Sequence, residues 1–248
     1  AGTMIDFGSF APMGVFVEAF KRFDVTATIE EARGPMGMPK RDHIATMMAM
    51  PSIRTQWERL KARAPTEADI DEVYAVFVPM NEEVVAQYAT LVPGAKDAVE
   101  ALREKGLKIG STTGYTRSIM ERVLPVAAAQ GYAPDNLVCA DDLPEGRPGP
   151  LGMYKCFIDL VVYPPAAVIK VDDTPPGIAE GVAAGCVTVG VALSGNIVGL
   201  TPEQLAATPA DQVAALREKA TAELTAAGAD HVIDTVADLP ALVARLEG

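Results

Sequence analysis

Residues 167–174, Ala-Val-Ile-Lys-Val-Asp-Asp-Thr, join a short apolar segment to two adjacent carboxylates. A short run rich in β-branched residues, bounded by proline and polar residues, is typical of a buried strand, so we predict a strand over 167–171. A helix is predicted soon after it, over 177–184. A buried strand followed by a helix indicates a parallel sheet with helices on its faces.

The same alternation of strand and helix continues on both sides of this segment. Apolar runs bounded by glycine and proline predict further strands over 107–111, 137–140, 187–192 and 231–235. Helical spacing predicts helices over 95–105, 118–130, 151–160 and 202–227, with a last helix at the C-terminus. We therefore predict an α/β fold built on an open parallel sheet, in which ligands bind beyond the carboxyl ends of the strands.

Residues 9–90 carry helical patterns and no strand pattern. Helices are predicted over 11–23, from the capping box at Thr28, from Pro39, over 52–64 and from Thr66 toward Thr90, the last with a kink at Pro79. We predict two domains, an α/β core of residues 1–8 and 91–248 and a helical cap of residues 9–90. A helical insert ahead of such a sheet is expected to cover the edge where ligands bind.

The chain has a formal net charge of −12. This charge argues against nucleic acid and anionic membrane surfaces as partners, because both repel an acidic protein. An anionic substrate must then be held by a few local cations. The three cysteines, Cys139, Cys156 and Cys186, predict buried free thiols in a reducing cytoplasm rather than a disulfide framework or a zinc site. The sequence shows no leader pattern and no apolar run long enough for a membrane span, so we expect neither export nor insertion into a membrane.

A segment of the predicted cap, Gly34-Pro35-Met36-Gly37-Met38-Pro39-Lys40-Arg41-Asp42-His43, ends one helix and begins another. Pro39 favours the first helical position, which places Lys40 in the first turn. The positive end of the helix dipole and the neighbouring charge of Arg41 both favour a neutral amine at Lys40. A Schiff-base lysine needs such a neutral amine. A solvated surface lysine that follows a proline explains the same residues, and the segment alone leaves both interpretations open.

Two predicted strand ends carry groups suited to an anion. Residues 110–117, Gly-Ser-Thr-Thr-Gly-Tyr-Thr-Arg, would bring backbone N–H groups and a hydroxyl to an anionic oxygen at a helix start. Helix capping by a threonine is an equal alternative for this segment. In residues 144–150, Arg147 lies in a proline-rich loop, and a fixed guanidinium suits phosphate recognition. A merely solvated arginine is the alternative there.

A third strand end carries Asp172 and Asp173, directly after the strand over 167–171. Adjacent carboxylates behind a buried strand repel each other unless a cation lies between them. Mg²⁺ is the usual cation in such a setting, since it prefers oxygen ligands. We therefore favour a magnesium site over simple helix capping by these two residues.

Four segments, in their order and spacing, resemble the four motifs of the haloacid dehalogenase superfamily. They are Ala1-Gly2-Thr3, Ser111-Thr112-Thr113-Gly114-Tyr115-Thr116-Arg117, Gly146-Arg147-Pro148 and Val171-Asp172-Asp173-Thr174. With the cap segment from Met36 to His43, the resemblance narrows to the phosphonoacetaldehyde hydrolase (phosphonatase) family and covers essentially the whole chain. It implies a Rossmann-like parallel sheet core of the haloacid dehalogenase type, with an all-helical cap inserted near the N-terminus.

The resemblance also implies a reaction, the hydrolysis of the carbon–phosphorus bond of phosphonoacetaldehyde to acetaldehyde and phosphate. The cap lysine of the family, matched by Lys40, forms an imine with the aldehyde, and a family aspartate attacks phosphorus. Direct cleavage would expel a carbanion, whereas a protonated imine accepts the electrons as an enamine. His43 and Tyr115 match residues near the reaction centre, where they would move protons during imine formation. His231, by contrast, is interpreted as the start of a strand.

Further residues are implied to bind the substrate and a metal ion. The implied substrate-binding residues are Met36, Thr113, Gly114 and Arg147, the last three at the phosphonate oxygens. Mg²⁺ would be held by the backbone carbonyl of Ala1 and the carboxylate of Asp173, with Asp172 as a further candidate ligand. The expected partner is a small anionic phosphonate.

The sequence departs from the family pattern at two places. In the family the nucleophilic aspartate lies two residues before the position of Ala1, on a central first strand, and the sequence includes neither. We expect the sequence to be a fragment of a complete enzyme. We predict that the polypeptide as written forms no aspartyl-phosphate and is poorly stable. The second departure is Gly177, where many superfamily members carry another acidic residue, which Asp172 would then supply.

Two other functions fit part of the pattern. A capped phosphate-ester phosphatase or phosphomutase of the same superfamily would need an acid/base aspartate where Ala1 stands and has no use for Lys40. A non-catalytic ligand-binding relative would explain the absent nucleophile. We also predict a homodimer, because apolar helical faces of the cap allow a dimer contact, although they equally suit the core of the cap. These faces carry Val73, Val76, Phe77 and Met80.

Overall fold

The structure is a computed structural model that describes residues 1–247. Its helices before residue 90 are α1 (Ala11–Lys21), α2 (Ile29–Arg33), α3 (Lys40–Ala49), α4 (Pro51–Lys61) and α5 (Glu67–Val84). The later helices are α6 (Ala95–Glu104), α7 (Arg117–Ala129), α8 (Leu151–Leu160), α9 (Pro175–Ala184), α10 (Pro202–Ala207), α11 (Ala210–Ala226) and α12 (Leu239–Leu246). The strands are β1 (Gly110–Thr112), β2 (Asn136–Val138), β3 (Ile169–Asp172), β4 (Val187–Val191) and β5 (His231–Ile233).

Helices α1 to α5 share one hydrophobic core. Its largest fully buried side chains include Phe16, Phe20, Trp57 and Phe77. The predicted capping box at Thr28 is present, since its side chain accepts from the Glu31 amide while Glu31 accepts from the Thr28 amide. This network fixes the start of α2, the helix that leads into the segment containing Lys40.

The apolar face of α5 contributes mostly to this core. Val73 and Phe77 are fully buried, and Val76 and Met80 pack against the same cluster while remaining partly exposed. Of the two interpretations that the sequence left open for this face, the two buried residues fit the core of the helical segment. Pro79 lies inside α5, and the helix continues through it to Val84.

The α/β part contains two parallel ladders. β1 pairs with β2 in the register Gly110 with Asn136, while β4 pairs with β3 on one side and β5 on the other. Parallel strands connected through helices confirm the predicted α/β fold class. β1 is shorter than predicted and begins at Gly110, because the amide of Ile109 donates to the Asp135 side chain instead of to a neighbouring strand.

A cavity of about 680 Å³ is lined by β1 on one side and β3 on the other. Its apolar part is lined by side chains of the surrounding helices, among them Val99, Val123 and Leu239. Its polar part reaches Ala1 and the segment around Lys40, beyond the carboxyl ends of the strands. The polar end of the cavity therefore lies at the edge where ligands of parallel sheets bind.

Two further sequence predictions can be compared with the structure. The helical stretch predicted over 202–227 is two helices, α10 and α11, separated at Pro209, which lacks the backbone N–H that a continuous helix requires. The three cysteines are buried and free, as expected. Among residues 1–247, no helix combines the length and the apolar character that a membrane span requires.

Candidate active site

The segment of residues 34–40 is held against the α/β part by three close backbone contacts. In each contact one partner is a glycine, and an added Cβ would lie 2.2–2.6 Å from its neighbour. The contacts are Gly37 against the Thr174 hydroxyl, Gly114 against the Met38 carbonyl and Gly146 against the Pro39 ring. Only glycine permits such approaches, so these positions bring the start of α3 down onto the loops after β1, β2 and β3.

Lys40 is the first residue of α3 and is only 4% exposed. Its Nζ lies 4.9 Å from the centroid of the Tyr115 ring, 5.6 Å from that of Phe16 and 3.9 Å from the sulfur of Met36. Within residues 1–247 no carboxylate forms an ion pair with it. Burial, and secondarily the charge of Arg147, lowers the pKa of Lys40 to about 7. A neutral amine is therefore accessible near neutral pH.

The neighbouring cation that acts on Lys40 is Arg147, whereas the sequence suggested Arg41. The Arg41 side chain is partly exposed and pairs with Glu67 at 2.8 Å and Asp71 at 2.7 Å, both on α5. Adjacent positions on a helix point in different directions, so Arg41 faces solvent while Lys40 faces the cavity. The attribution to Arg41 was therefore wrong, although burial and Arg147 shift the pKa of Lys40 in the predicted direction.

His43 is fully buried one turn after Lys40 and does not line the cavity. Its ring stacks on Phe16 at a centroid distance of 3.9 Å, and its Nε2 lies 2.9 Å from the carbonyl oxygen of Ala32. Because a carbonyl can only accept, Nε2 carries the proton and Nδ1 is left as an acceptor. Burial, followed by the nearby Lys40, lowers the pKa of His43 well below its usual value. The imidazole is therefore neutral.

Tyr115 and Thr113 lie at the carboxyl end of β1 and line the cavity. The amide of Tyr115 donates to the Thr113 hydroxyl at 3.1 Å, which fixes the turn after the strand. The Tyr115 hydroxyl is buried without a hydrogen-bond partner, and burial followed by Asp6 and Asp173 raises its pKa well above the usual value. The phenol thus remains protonated. The predicted helix capping falls to Thr116, whose side chain accepts from the Ile119 amide at the start of α7.

Asp173 follows β3 and is buried beside the N-terminal residues. Its Oδ1 accepts from the Thr3 hydroxyl at 2.8 Å, and its Oδ2 accepts from the Asn196 amide at 2.9 Å. Gly2 lies so close that a Cβ there would be 2.0 Å from Oδ2. Burial, with Asp172 as the next cause, raises the pKa of Asp173. A carboxylate in this position gains from a nearby cation.

Asp172 has a different environment from its neighbour. Its carboxylate accepts from the Thr174 hydroxyl at 2.8 Å and lies 3.1 Å from the Arg147 guanidinium and 3.3 Å from the Lys170 amine. Burial disfavours its charged form, but Arg147 and Lys170 outweigh burial and lower the pKa of Asp172. A Cβ at Gly177 would lie 2.0 Å from its carboxyl carbon. The Asp172 side chain therefore fills the space that a side chain at position 177 would need.

Arg147 is buried and bonded on several sides. It donates to Glu180 at 2.9 Å and to the Thr112 hydroxyl and carbonyl at 2.9 and 3.0 Å, in addition to its contact with Asp172. Lys170 donates to Glu180 at 2.8 Å and to the Thr112 hydroxyl at 2.7 Å. Two cations and two carboxylates therefore form one buried network. The network holds the planar guanidinium of Arg147 in a fixed orientation at the cavity wall.

Lys170 and Glu180 are members of this network that sequence reasoning did not select. A signal for Lys170 was present, because a lysine inside an otherwise apolar strand must find a counter-charge when the strand is buried. Glu180 lies on α9 with nothing in its local pattern to distinguish it from a solvated helical glutamate. Asn196, whose amide donates to Asp173, was likewise not selected.

The donor set for a metal ion is small in this chain. Among residues 1–247 no three His, Cys, Asp or Glu side chains come together as a metal cluster. Asp173 is nevertheless a buried carboxylate without an ion-pair partner among the described residues, and it lies next to Ala1 at the wall of the cavity. The Asp173 carboxylate and the backbone carbonyl of Ala1 are oxygen donors, and such donors suit a hard divalent cation that keeps several waters.

The cavity thus brings together most of the residues selected from the sequence. Those that line it are Ala1, Met36, Lys40, Thr113, Gly114, Tyr115, Arg147, Asp172 and Asp173. An amine, a phenol, a fixed guanidinium and a buried carboxylate in one cavity can bind an anionic carbonyl compound and form an imine with it.

Residues 2–185 match the family model of the haloacid dehalogenase-like hydrolases. A phosphonoacetaldehyde hydrolase of Paraburkholderia phytofirmans is 51% identical over 247 residues, which cover 100% of this chain and 92% of the relative. That of Klebsiella pneumoniae is 48% identical over 99% of this chain and 92% of the relative. The chain belongs to the phosphonoacetaldehyde hydrolase family. The resemblance inferred from the motifs is thereby confirmed.

A solved structure agrees with membership of the phosphonoacetaldehyde hydrolase family. The crystal structure of a phosphonoacetaldehyde hydrolase-like protein from Oleispira antarctica matches with a TM-score of 0.97 and 43% identity, over 99% of this chain and 89% of that one. The backbone described above is therefore the fold of this family.

Proposed function

We propose that the chain hydrolyses the carbon–phosphorus bond of phosphonoacetaldehyde, giving acetaldehyde and phosphate, through an imine on Lys40. The observation that carries this proposal is a buried lysine with a pKa lowered to about 7, without a carboxylate partner among the described residues, at the wall of a cavity that also holds Arg147 and Asp173. Membership of a family whose relatives are phosphonoacetaldehyde hydrolases supports the same substrate.

The imine supplies the place for the electrons of the broken bond. The neutral Lys40 amine adds to the aldehyde carbon, and loss of water gives a protonated imine. When phosphorus is transferred to a nucleophile, the electron pair of the carbon–phosphorus bond moves into the imine and forms an enamine. Protonation of the enamine carbon and hydrolysis of the imine then release acetaldehyde and free Lys40. The proposed nucleophile is the aspartate expected two residues before Ala1, and water later frees phosphate.

Two buried side chains are proposed to move protons around Lys40. The Tyr115 phenol stays protonated and has no hydrogen-bond partner in the described protein, and the centroid of its ring lies 4.9 Å from Lys40 Nζ. We propose that it donates a proton to the oxygen that leaves as water. His43 offers an acceptor at Nδ1, but it lies behind Phe16 and outside the cavity. We therefore propose that His43 orients α3 and exchanges protons with Lys40. It would not exchange protons with the substrate directly.

The phosphonate group is proposed to bind at the other end of the cavity. Arg147 offers a fixed guanidinium, and the loop with Thr113 and Gly114 offers a hydroxyl and backbone N–H groups. Asp173 and the carbonyl of Ala1 would hold Mg²⁺, which neutralises charge on phosphonate oxygens when bound. We propose Asp172 as a partner of Arg147 and only secondarily as a metal ligand, since its oxygens already contact Thr174, Arg147 and Lys170.

Domain organisation and assembly are part of the proposal. The division into a helical cap of residues 9–90 and a core of residues 1–8 and 91–248 is supported by the hydrophobic cluster of α1 to α5, whose members all lie between residues 13 and 84. A cytoplasmic location is supported by three buried free cysteines. A homodimer is proposed from the half-exposed apolar residues Val76 and Met80, and light scattering with size-exclusion chromatography tests it.

Reductive trapping tests the proposed function. The chain is incubated with phosphonoacetaldehyde and sodium borohydride, and the modified peptide is identified by mass spectrometry. We expect the adduct on Lys40, and not on Lys170, which is equally buried but paired with carboxylates. Lys40→Met is the matched negative control. Absence of an adduct on Lys40 would overturn the imine and favour the phosphate-ester alternative, which has no carbonyl for this lysine.

A further inference from the structure

Arg33 is the last residue of α2 and immediately precedes the segment that carries Lys40. Its guanidinium donates to the carbonyl of Gly8 at 2.8 Å, to the carbonyl and side-chain oxygens of Asn196 at 3.2 Å each, and to the carbonyl of Gly199 at 3.5 Å. All these acceptors are neutral, and they lie outside the helices α1 to α5. Arg33 therefore connects the helical segment to the loop that follows β4.

Asn196 returns the contact and extends it to the cavity. Its side-chain amide donates to the backbone carbonyl of Arg33 at 3.2 Å, and its backbone N–H donates to Oδ2 of Asp173 at 2.9 Å. Asn196 is itself buried. A continuous chain of hydrogen bonds thus runs from α2 through Asn196 to the carboxylate of Asp173, which lines the same cavity as Lys40.

The backbone around this contact is shaped to admit the guanidinium. A Cβ at Gly199 would lie 2.6 Å from Cζ of Arg33, and Gly199 has a φ of +61°. The guanidinium also lies over the Phe10 ring, whose centroid is 5.1 Å from Cζ. A planar group with several fixed donors suits three convergent carbonyls, whereas an ammonium would reach fewer of them.

We propose that Arg33 and Asn196 are positioning residues that hold residues 34–40, and with them Lys40, over Asp173. This inference rests on the proposed function, in which the aldehyde end of the substrate is bound at Lys40 and the phosphonate end at Arg147 and Asp173. Both ends must be held at a fixed separation for the two chemical steps to occur on one molecule. Neither Arg33 nor Asn196 lines the cavity or touches the reacting atoms.

Loss of the Arg33 contacts is expected to loosen residues 34–40 from the α/β part. Hydrogen bonds that involve a charged group are among the stronger ones in proteins, so the population with Lys40 exposed should rise about tenfold or more. The phosphonoacetaldehyde concentration that half-saturates trapping should rise by a similar factor, because the competent form is less populated. The maximal trapping rate should change far less, since the bound substrate restores the closed arrangement.

The experiment compares Arg33→Met with Arg41→Met, a cap arginine whose partners are exposed carboxylates on α5. Acylation of Lys40 by acetic anhydride without substrate is followed by peptide mass spectrometry, and borohydride trapping is measured against phosphonoacetaldehyde concentration. Asn196→Ala keeps the backbone N–H to Asp173 and removes only the side-chain contacts to Arg33. For Arg33→Met and for Asn196→Ala we expect about tenfold faster acylation and a raised half-saturating concentration. For Arg41→Met we expect both quantities to stay within about twofold of wild type.

The combined variant Arg33→Met/Asn196→Ala tests whether the two residues act through their mutual contact or independently of each other. If the two residues act through one contact, its effect should be no larger than that of Arg33→Met alone. Melting temperatures identify variants that fail to fold. If Arg33→Met fails to fold, Arg33→Lys replaces it, and we expect a smaller rise in the acylation rate because lysine keeps the charge but has fewer donors. Wild-type rates in Arg33→Met and Asn196→Ala, together with normal trapping on Lys40 in the wild type, would overturn the positioning role alone. Absent trapping in the wild type would instead overturn the proposed function.

Discussion

Two lysines in this molecule are buried to nearly the same extent and differ in what surrounds them. Lys40 is 4% exposed and Lys170 is 6% exposed. Lys170 lies in β3 and contacts Glu180 at 2.8 Å, Asp172 at 3.3 Å and the Thr112 hydroxyl at 2.7 Å. Lys40 lies against two aromatic rings and a thioether and has no carboxylate partner in the described chain.

The difference shows that burial alone does not decide what a lysine does. A buried lysine whose amine contacts carboxylates ties together the elements that carry them. A buried amine without a counter-charge gives up its proton more readily, and for Lys40 burial lowers the pKa to about 7. Within one cavity, Lys170 is therefore suited to holding Arg147 and Asp172 in place, and Lys40 is suited to attacking a carbonyl.

Lys40→Met should give the largest effect, a complete loss of the borohydride-trapped adduct. Methionine fills a similar apolar space but offers no amine. The free energy of unfolding should stay within about 1 kcal/mol of wild type or increase, because no buried ion pair is broken. Mass spectrometry and urea denaturation measure the two quantities. An undiminished adduct on another residue would show that Lys40 is not the nucleophilic amine.

Lys170→Met should lower the free energy of unfolding by about 3–5 kcal/mol, since it leaves Glu180 and Asp172 with less compensating charge inside the protein. The folded fraction should still form the Lys40 adduct. Urea denaturation beside Lys40→Met, a substitution of the same type at equal burial, provides the control. Equal stability of the two variants would mean that the contrast between the two lysines has no energetic basis.

The trapping rate should depend on pH with a midpoint near 7. Only the neutral amine attacks, and Arg147 is the nearby cation that adds to burial in lowering the pKa of Lys40 to about 7. Below the midpoint the rate should fall about tenfold per pH unit, and above it the rate should level off. Initial trapping rates between about pH 5 and pH 9 measure this profile. A rate that keeps rising toward the pKa of an ordinary lysine would indicate that the amine is solvated.

Arg41→Met should have the smallest effect. Its exposed pairs with Glu67 and Asp71 are each worth about 0–1 kcal/mol, and its charge is not among those that act on Lys40. We expect the pH midpoint of trapping to be unchanged and the rate to stay within about twofold of wild type. A clear upward shift of that midpoint would restore the interpretation based on sequence proximity, in which Arg41 acts on its neighbour.

Much of the fold could be predicted from local patterns. Alternating apolar strands and helices gave the α/β class, and the capping box at Thr28 gave the start of α2 correctly. The predicted element boundaries were wrong where contacts with residues elsewhere in the chain decide where a strand or helix begins and ends. Ile109 was predicted inside a strand, but its amide donates to Asp135, and one predicted helix is divided at Pro209. Side-chain partners of this kind leave no periodic signal in the sequence.

The residues of the candidate site were likewise predictable only in part. Motif residues at the carboxyl ends of parallel strands could be expected to meet, because those ends share one edge of the sheet. Lys170 carried a signal, as a lysine inside an apolar strand, but its partner Glu180 could not be predicted, since nothing in its local pattern distinguishes it from a solvated helical glutamate. The position of Asn196 between Arg33 and Asp173 has no local sequence pattern either.

The sequence by itself determined the kinds of elements, the family and the chemical groups available, because periodicity and short motifs are properties of neighbours along the chain. Only the tertiary structure decided that Lys40 faces Arg147 and two aromatic rings while Arg41 faces solvent. Desolvation and Coulomb interactions depend on distances in space between residues remote in sequence. The reactivity proposed for Lys40 therefore arises from the packing of residues 34–40 onto the sheet.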